Sequence, residues 1–208
     1  MFTTAFRNTV LGTIGGYLGL IKTITDFRAG TVVEAAYTGY GTRPAIAWGA
    51  TADTSPVGGR QVANSGTVTF PANSGANEDE IAWGIYSLAT GGVLQMIGFL
   101  DTNPPILGTV SVASPGVVTA HAHGLATNER VFFLAAPGAL LPAGLAENTA
   151  YFVANVTTDT FTLSTTTGNG NPVNVTVSGA GFFMPYKAVT VAGGATPSVA
   201  PGAVVVQL

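Results

Sequence analysis

The stretch YFVANVTTDTFTLS, residues 151–164, decides the fold class. Its two halves are short runs of aromatic and β-branched residues, the types that suit a pleated, half-buried strand. Between them Thr157-Thr158-Asp159 supplies the polar connection of a tight hairpin. A third run of the same kind, VFFLA at 131–135, precedes them. The same texture extends over the whole chain, where 28 glycines and 12 prolines punctuate segments rich in Val, Thr, Ile, Phe and Tyr. That is how an all-β sandwich or barrel reads.

Expected strands are Tyr17–Lys22, Ala45–Trp48, Thr67–Phe70, Glu80–Ser87 and Leu94–Leu100 in the first half. Val117–Ala120, Arg130–Leu134, Ala150–Val156, Thr160–Ser164, Val173–Ser178, Ala188–Val191 and Ala203–Leu208 follow. One short helix is expected over Thr3–Ile14, where Phe6, Val10 and Ile14 recur at helical spacing. Residues 106–183 have their own character, richer in Thr, Asn and Val and holding both histidines. This block opens after Asn103-Pro104-Pro105 and closes near Gly179–Gly181, both strong breakers. The expected fold is therefore all-β: a sandwich or jelly-roll-like domain with a short N-terminal helix, plus a second small β module.

Composition narrows the function. Only 8% of the 208 residues are charged, against about 25% in an average soluble domain. A surface so poor in charge is best covered by neighbouring subunits, which points to an assembly component. The basic residues, Arg7, Lys22, Arg28, Arg43, Arg60, Arg130 and Lys187, are dispersed, and the net charge is −3. They form no stripe to neutralise phosphates, so nucleic acid is not an expected partner. Glu78-Asp79-Glu80 reads as a solvated turn. Cysteine is absent, which removes disulfide and thiolate chemistry. Val10–Ile24 is apolar but interrupted by Gly12, Gly15, Gly16 and Gly19, and is too short for a span of about 20 residues. No secretory cleavage site is evident, so synthesis in the cytoplasm is expected.

No set of residues reads as catalytic. The glycine-rich strings GTIGGYLG and GGATPSVAPG lack the lysine and spacing of a phosphate loop. Neither histidine accompanies a Gly-x-Ser-x-Gly elbow. Glu34, Asp53, Asp101, Glu129, Glu147 and Asp159 stand apart from one another and read as solvated turn acids. His121-Ala122-His123 has metal-ligand character, since residues i and i+2 of a strand share a face. A structural role for His123 in a His-Gly-Leu turn is the stronger reading, so no metal or other cofactor is expected. Trp48, Trp83 and Tyr86 are expected in the core, whereas Tyr37 and Tyr40, in a glycine-rich segment, are candidates for exposure and for an interface.

The segment running from His123-Gly124-Leu125 through Leu141-Pro142-Ala143-Gly144-Leu145 and Tyr151-Phe152-Val153 to Asp159-Thr160-Phe161-Thr162-Leu163 resembles a small β module that recurs in phage tail, baseplate and other virion proteins. FRNTVLGTIGGYLGL, YTGYGTRPAIAW and TVTFPANSG…IAWGIYSLATGGVLQMIGFL resemble a phage family labelled tail-fibre-like or minor structural protein. Members of that family run directly into an ending like KAVTVAGGATPSVAPGAVVVQL, which begins here only after residue 186.

Together the resemblances imply a nested chain. Residues 1–105 and 184–208 would form the host domain, for attachment and oligomerisation, with 106–183 inserted in a surface loop. They further imply a non-enzymatic virion protein, with capsid decoration favoured and a tail-fibre or tail-tip subunit that binds a host surface glycan as the alternative. Expected partners are other virion proteins and further copies of the chain, a trimer being the habit of phage appendages. Phe2, Phe6, Val10, Tyr37, Tyr40, Val204 and Val206 are the expected interface residues.

Overall fold

In a computed structural model that describes residues 4–26, 29–53, 59–147 and 149–207, alternation of inward and outward side chains along short strands sets the architecture. One helix, α1, spans Thr4–Gly12. The strands are β1 Tyr17–Asp26, β2 Thr31–Glu34, β3 Ala52–Asp53, β4 Arg60–Ala63, β5 Val68–Thr69, β6 Glu78–Glu80, β7 Ala82–Tyr86, β8 Leu94–Phe99 and β9 Asp101–Thr102. They continue as β10 Ile106–Val110, β11 Val117–Thr119, β12 Arg130–Ala135, β13 Thr149–Ala154, β14 Thr160–Ser164, β15 Gly179–Lys187, β16 Val189–Val191, β17 Ser198–Val199 and β18 Val205–Gln207. The protein is all-β apart from α1 and a single turn of 3-10 helix at Thr167–Asn169.

The chain divides into two units. The first comprises Met1–Ile24, Val32–Gly98 and Val189–Leu208. Its largest sheet has the order β2-β1-β7-β8, and β1 and β7 pair from Tyr17↔Tyr86 to Ile21↔Ala82. Leu18, Ile21, Ala82 and Ile85 are buried from this sheet. The last three strands return antiparallel to the middle of the unit: β16 pairs with β6, β17 with β5 and β18 with β4. Two buried asparagines hold this return. Asn64 Nδ2 donates to the carbonyls of Gly66 and Ala200, both at 2.8 Å, and its Oδ1 accepts from Val204 N–H at 2.9 Å. Asn73 Nδ2 donates to Ala76 O at 2.8 Å and Val191 O at 3.0 Å. An asparagine side chain matches backbone donors and acceptors where irregular strands leave them unpaired.

The second unit, Thr25–Thr31 and Phe99–Ala188, is a closed barrel. Its strands run in the order β10-β11-β14-β13-β12-β15, and β15 pairs back with β10. Closure removes free edges from the sheet. Every second residue points inward, so Val110, Val118, Val131, Phe133, Tyr151, Val153, Phe161, Leu163 and Phe183 fill one core. Phe161 and Phe183 meet edge to face with centroids 5.4 Å apart, and Phe133 lies 5.2 Å from Phe183. On the outside, Phe99 stacks on Tyr186 at 4.8 Å and meets Phe132 edge-on at 5.8 Å.

Several expectations are corrected. Gly179–Gly181 does not end the block; it opens β15, the longest strand of the barrel. Gly181 sits there because a Cβ would overlap the Phe133 ring and the Leu134 carbonyl. Residues 173–178 make only the single bridges Ala113↔Val175 and Ala143↔Val177, and Ala45 and Trp48 likewise make isolated bridges. Strands β2, β4 and β10 were not legible as such, being short or glycine-containing. Glu78-Asp79-Glu80 is a strand rather than a solvated turn. α1 ends at Gly12, short of Ile14.

Replacing Gly181 by Ala is expected to lower the unfolding free energy by about 1–3 kcal/mol through overpacking against Phe133. Denaturant unfolding checks this, and an unchanged midpoint would show that the β12–β15 seam has slack.

Candidate functional site

The segment YTGYGTRP, residues 37–44, carries the densest polar network. Arg43 Nε donates to Glu34 Oε1 at 2.7 Å and Nη2 to Glu34 Oε2 at 2.5 Å, a bidentate pair. Its Nη1 donates to the carbonyls of Leu88 at 2.8 Å and Gly91 at 2.6 Å. The guanidinium lies 3.5 Å from the centroid of the Tyr86 ring, and that ring has room because Gly19 offers no side chain. Tyr40 Oη donates to Glu34 Oε1 at 3.0 Å and accepts from Leu20 N–H at 3.1 Å. Burial, and then the Glu34 carboxylate, push the Tyr40 phenol well above its usual range. The arrangement ties β1, β2 and the turn after β7 together.

Only a planar fork can serve Glu34, two carbonyls and a ring face at once. Arg43→Lys is therefore expected to cost about 1–3 kcal/mol despite keeping the charge. Equilibrium unfolding tests it; wild-type stability in the lysine variant would reduce the fork to a simple charge.

Glu80 is fully buried beside the Glu78 carboxyl. Burial, followed by the neighbouring Glu78 carboxyl, pushes its pKa up to about 8, against the opposing pull of Lys22. Lys22 Nζ instead pairs with Glu78 Oε2 at 3.3 Å. Glu80 is thus held as the neutral acid at neutral pH. With the folded-state pKa above the unfolded one, its contribution to stability is complete below 4.5 and is lost as pH rises through about 8. Glu80→Gln is expected to flatten this dependence and to melt above the wild type at pH values beyond about 8. Parallel melting-pH curves for the two proteins would sink the assignment.

The histidines do not form the expected pair. Ala122 adopts φ +46°, so 121–123 is a turn rather than a strand and the two rings are not set on one face. His121 is exposed, with Nδ1 at 2.9 Å from Asp159 Oδ1. Ala122 N–H donates to the same oxygen at 2.8 Å and is the main cause that holds Asp159 below the usual carboxylate range. His123 Nδ1 accepts from Leu125 N–H at 3.1 Å, which leaves Nε2–H to donate to Thr160 O at 3.3 Å. Its ring meets Phe161 edge to face at 4.9 Å. His123 therefore ties the turn after β11 to the start of β14. Among the described residues no group of ≥ 3 His, Cys, Asp or Glu side chains could hold a metal ion.

Other candidate residues are placed as follows. Phe2 and the Phe6 side chain lie outside the described residues, and Val10 is half-buried. Tyr37 is buried, 5% exposed, with its hydroxyl on Pro71 O, and Tyr40 is half-buried in the Arg43 network. Val204 and Val206 are core residues at 4% and 1% exposure. The expected exposure of Tyr37 is corrected, and these side chains are used in the chain's own packing. Glu34 is paired with Arg43 rather than solvated, whereas Asp53, 2.8 Å from Arg60, keeps 72% of its side chain exposed. Trp48 and Trp83 are half-buried rather than core. The sequence reading missed Glu80, Asn64 and Asn73; a lone polar residue in a weak strand pattern carries no periodic signal of burial.

A family model, that of the Podophage GP4 fiber I protein gp80, matches residues 4–121. The match spans more than half of the 208 residues. The chain belongs to this family. It is therefore a phage structural protein, associated with the virion, and the family is not an enzyme class. The matched residues take in the Arg43 network and Glu80 and run into the barrel as far as His121. No curated protein matches the chain. Among the described residues no helix is long and apolar enough to cross a membrane.

Proposed function

We propose that the chain is a non-enzymatic, fibre-type subunit at the virion surface. The first unit would attach it to the particle and the barrel would be the displayed module. The observation that carries this reading is the family match over residues 4–121, whose family is described as a fibre protein. Self-association is part of the proposal. Large apolar side chains stand exposed, Leu140 at 71%, Val93 at 65%, and Leu107 and Val112 at 60% each, on a chain with only 8% charged residues. Such a surface gains stability by being covered, and repetition of modest contacts in an oligomer multiplies the gain. A trimer is the proposed form. In this reading the barrel meets the host surface, and a surface glycan is the proposed receptor.

A second reading, capsid decoration, is favoured by the secondary structure. The α-helix has 9 residues, and the described strands form no long fibrous repeat or coiled coil. Copy number separates the two. Quantitative mass spectrometry of purified particles, with the major capsid protein as reference, is expected to find a few copies to a few dozen. Hundreds of copies per particle would overturn the fibre reading in favour of decoration.

A further inference from the structure

Of the described basic residues, Lys22, Arg43 and Arg60 each have a carboxylate oxygen within 3.3, 2.5 and 2.8 Å. Arg7 is buried at 8% exposure. Arg130 and Lys187 differ: among the described residues neither has a carboxylate within 4.0 Å, and both line the same cleft in the barrel wall. They stand where β12 begins and β15 ends: Arg130 pairs with Tyr186, and Lys187 is the last residue of β15, so both reach the cleft at this end of the two strands. Arg130 also has Phe152 as its partner on β13, and its guanidinium lies 5.5 Å from that ring's centroid. Among the described residues its guanidinium N–H groups have no hydrogen-bond acceptor.

The cleft has a volume of about 390 Å³ and lies between the 126–130 turn and residues 186–188. Small-molecule sites commonly run from about 300 to 1,000 Å³. Glu129 shares the cleft, but Ala126 N–H occupies its Oε2 at 2.9 Å. The charged lining residues are Arg130, Lys187 and Glu129, and Asp101 stands across from Lys187 on β9. Neutral polar groups complete it. Asn128 Oδ1 accepts from Gly168 N–H at 2.7 Å, which leaves its amide NH₂ as a donor, and Thr127 adds a hydroxyl. A planar fork and an ammonium beside neutral donors suit one oxyanion on a polyhydroxylated body. Two cations are too few to track a nucleic-acid backbone.

We propose that this cleft binds a sugar bearing an oxyanion, with Arg130 and Lys187 on the carboxylate or phosphate and Thr127 and Asn128 on ring hydroxyls. The inference deepens the proposed function by naming a receptor class, and it rests on the reading of the barrel as the displayed module. The full-length chain is to be titrated with glucuronate, glucose 6-phosphate, glucose, acetate and inorganic phosphate, followed by amide NMR shifts and calorimetry. Glucuronate or glucose 6-phosphate is expected to shift the amides of 126–130 and 186–188 and to bind at least about ten-fold tighter than glucose. The stronger of the two identifies the source of the oxyanion. Arg130→Gln and Lys187→Gln are each expected to weaken binding by about ten-fold at unchanged melting temperature. Lys187, being exposed, keeps the test clear if the Arg130 variant folds poorly. Glucose binding as tightly as glucuronate, acetate and phosphate matching the sugar acids, or no effect of Lys187→Gln would each overturn the site. Binding by a protein found in hundreds of copies would keep the site and overturn only the fibre reading.

Discussion

The antiparallel pairing of β10 with β15 is the constraint on which the rest of the barrel depends. It joins Ile106 to Phe183 and Val110 to Gly179, residues more than sixty positions apart in the chain for every pair. Without it the seven-stranded sheet would be an open ribbon with two exposed edges, one of them apolar and uncharged. With it, alternate residues of six strands converge on one interior, and Phe133, Phe161 and Phe183 pack against one another. The same closure sets the chain's entry and exit side by side, because Asp101 pairs with Lys187 and Thr102 with Tyr186. The residues after 188 then pair as β16, β17 and β18 with strands of the first unit.

The first unit solves a different problem. Its strands are short and many of its backbone groups lie outside regular ladders, so polar side chains have to finish the pairing. Asn64 and Asn73 do this where the C-terminal segment returns, and Arg43 does it for the carbonyls of Leu88 and Gly91. A charge-poor chain can bury such groups only if each is matched, since an unmatched buried polar group costs on the order of 1–3 kcal/mol. Glu80 and the Tyr86 hydroxyl depart from this. Glu80 is buried beside the Glu78 carboxyl and held neutral chiefly by burial, so the β6–β16 pairing that carries it loses stability as pH rises through about 8.

Function follows from this economy of charge. Arg43 and Arg60 are committed to carboxylates within the fold, and Lys22 pairs with Glu78. Among the described residues the half-buried Arg130 and the exposed Lys187 have no carboxylate within 4.0 Å and line one cleft. In the proposed site, Arg130 and Lys187 would supply the ionic recognition for which a chain with 8% charged residues has few other groups.

How much of this was legible in the sequence differs by element. Strand texture at 131–135 and 151–164, the all-β class and the short N-terminal helix followed from residue type and alternation, because side-chain sterics act locally. The structural use of His123 was legible in its His-Gly-Leu turn. β15 was not, because Gly179–Gly181 reads as a breaker; only the Phe133 ring lying across Gly181 explains why a strand there needs glycine. Tyr37 read as exposed for its glycine-rich setting, yet packing against Tyr40 and Pro71 buries it. Glu34 and Glu80 read as solvated acids, because nothing local distinguishes a surface carboxylate from one that a distant arginine pairs or a returning strand covers. The sequence by itself determined which segments could be strands and how little charge there was to distribute. Barrel closure, the buried asparagine staples and the cleft shared by Arg130 and Lys187 were decided only by tertiary structure, because each depends on the pairing of residues far apart in the chain.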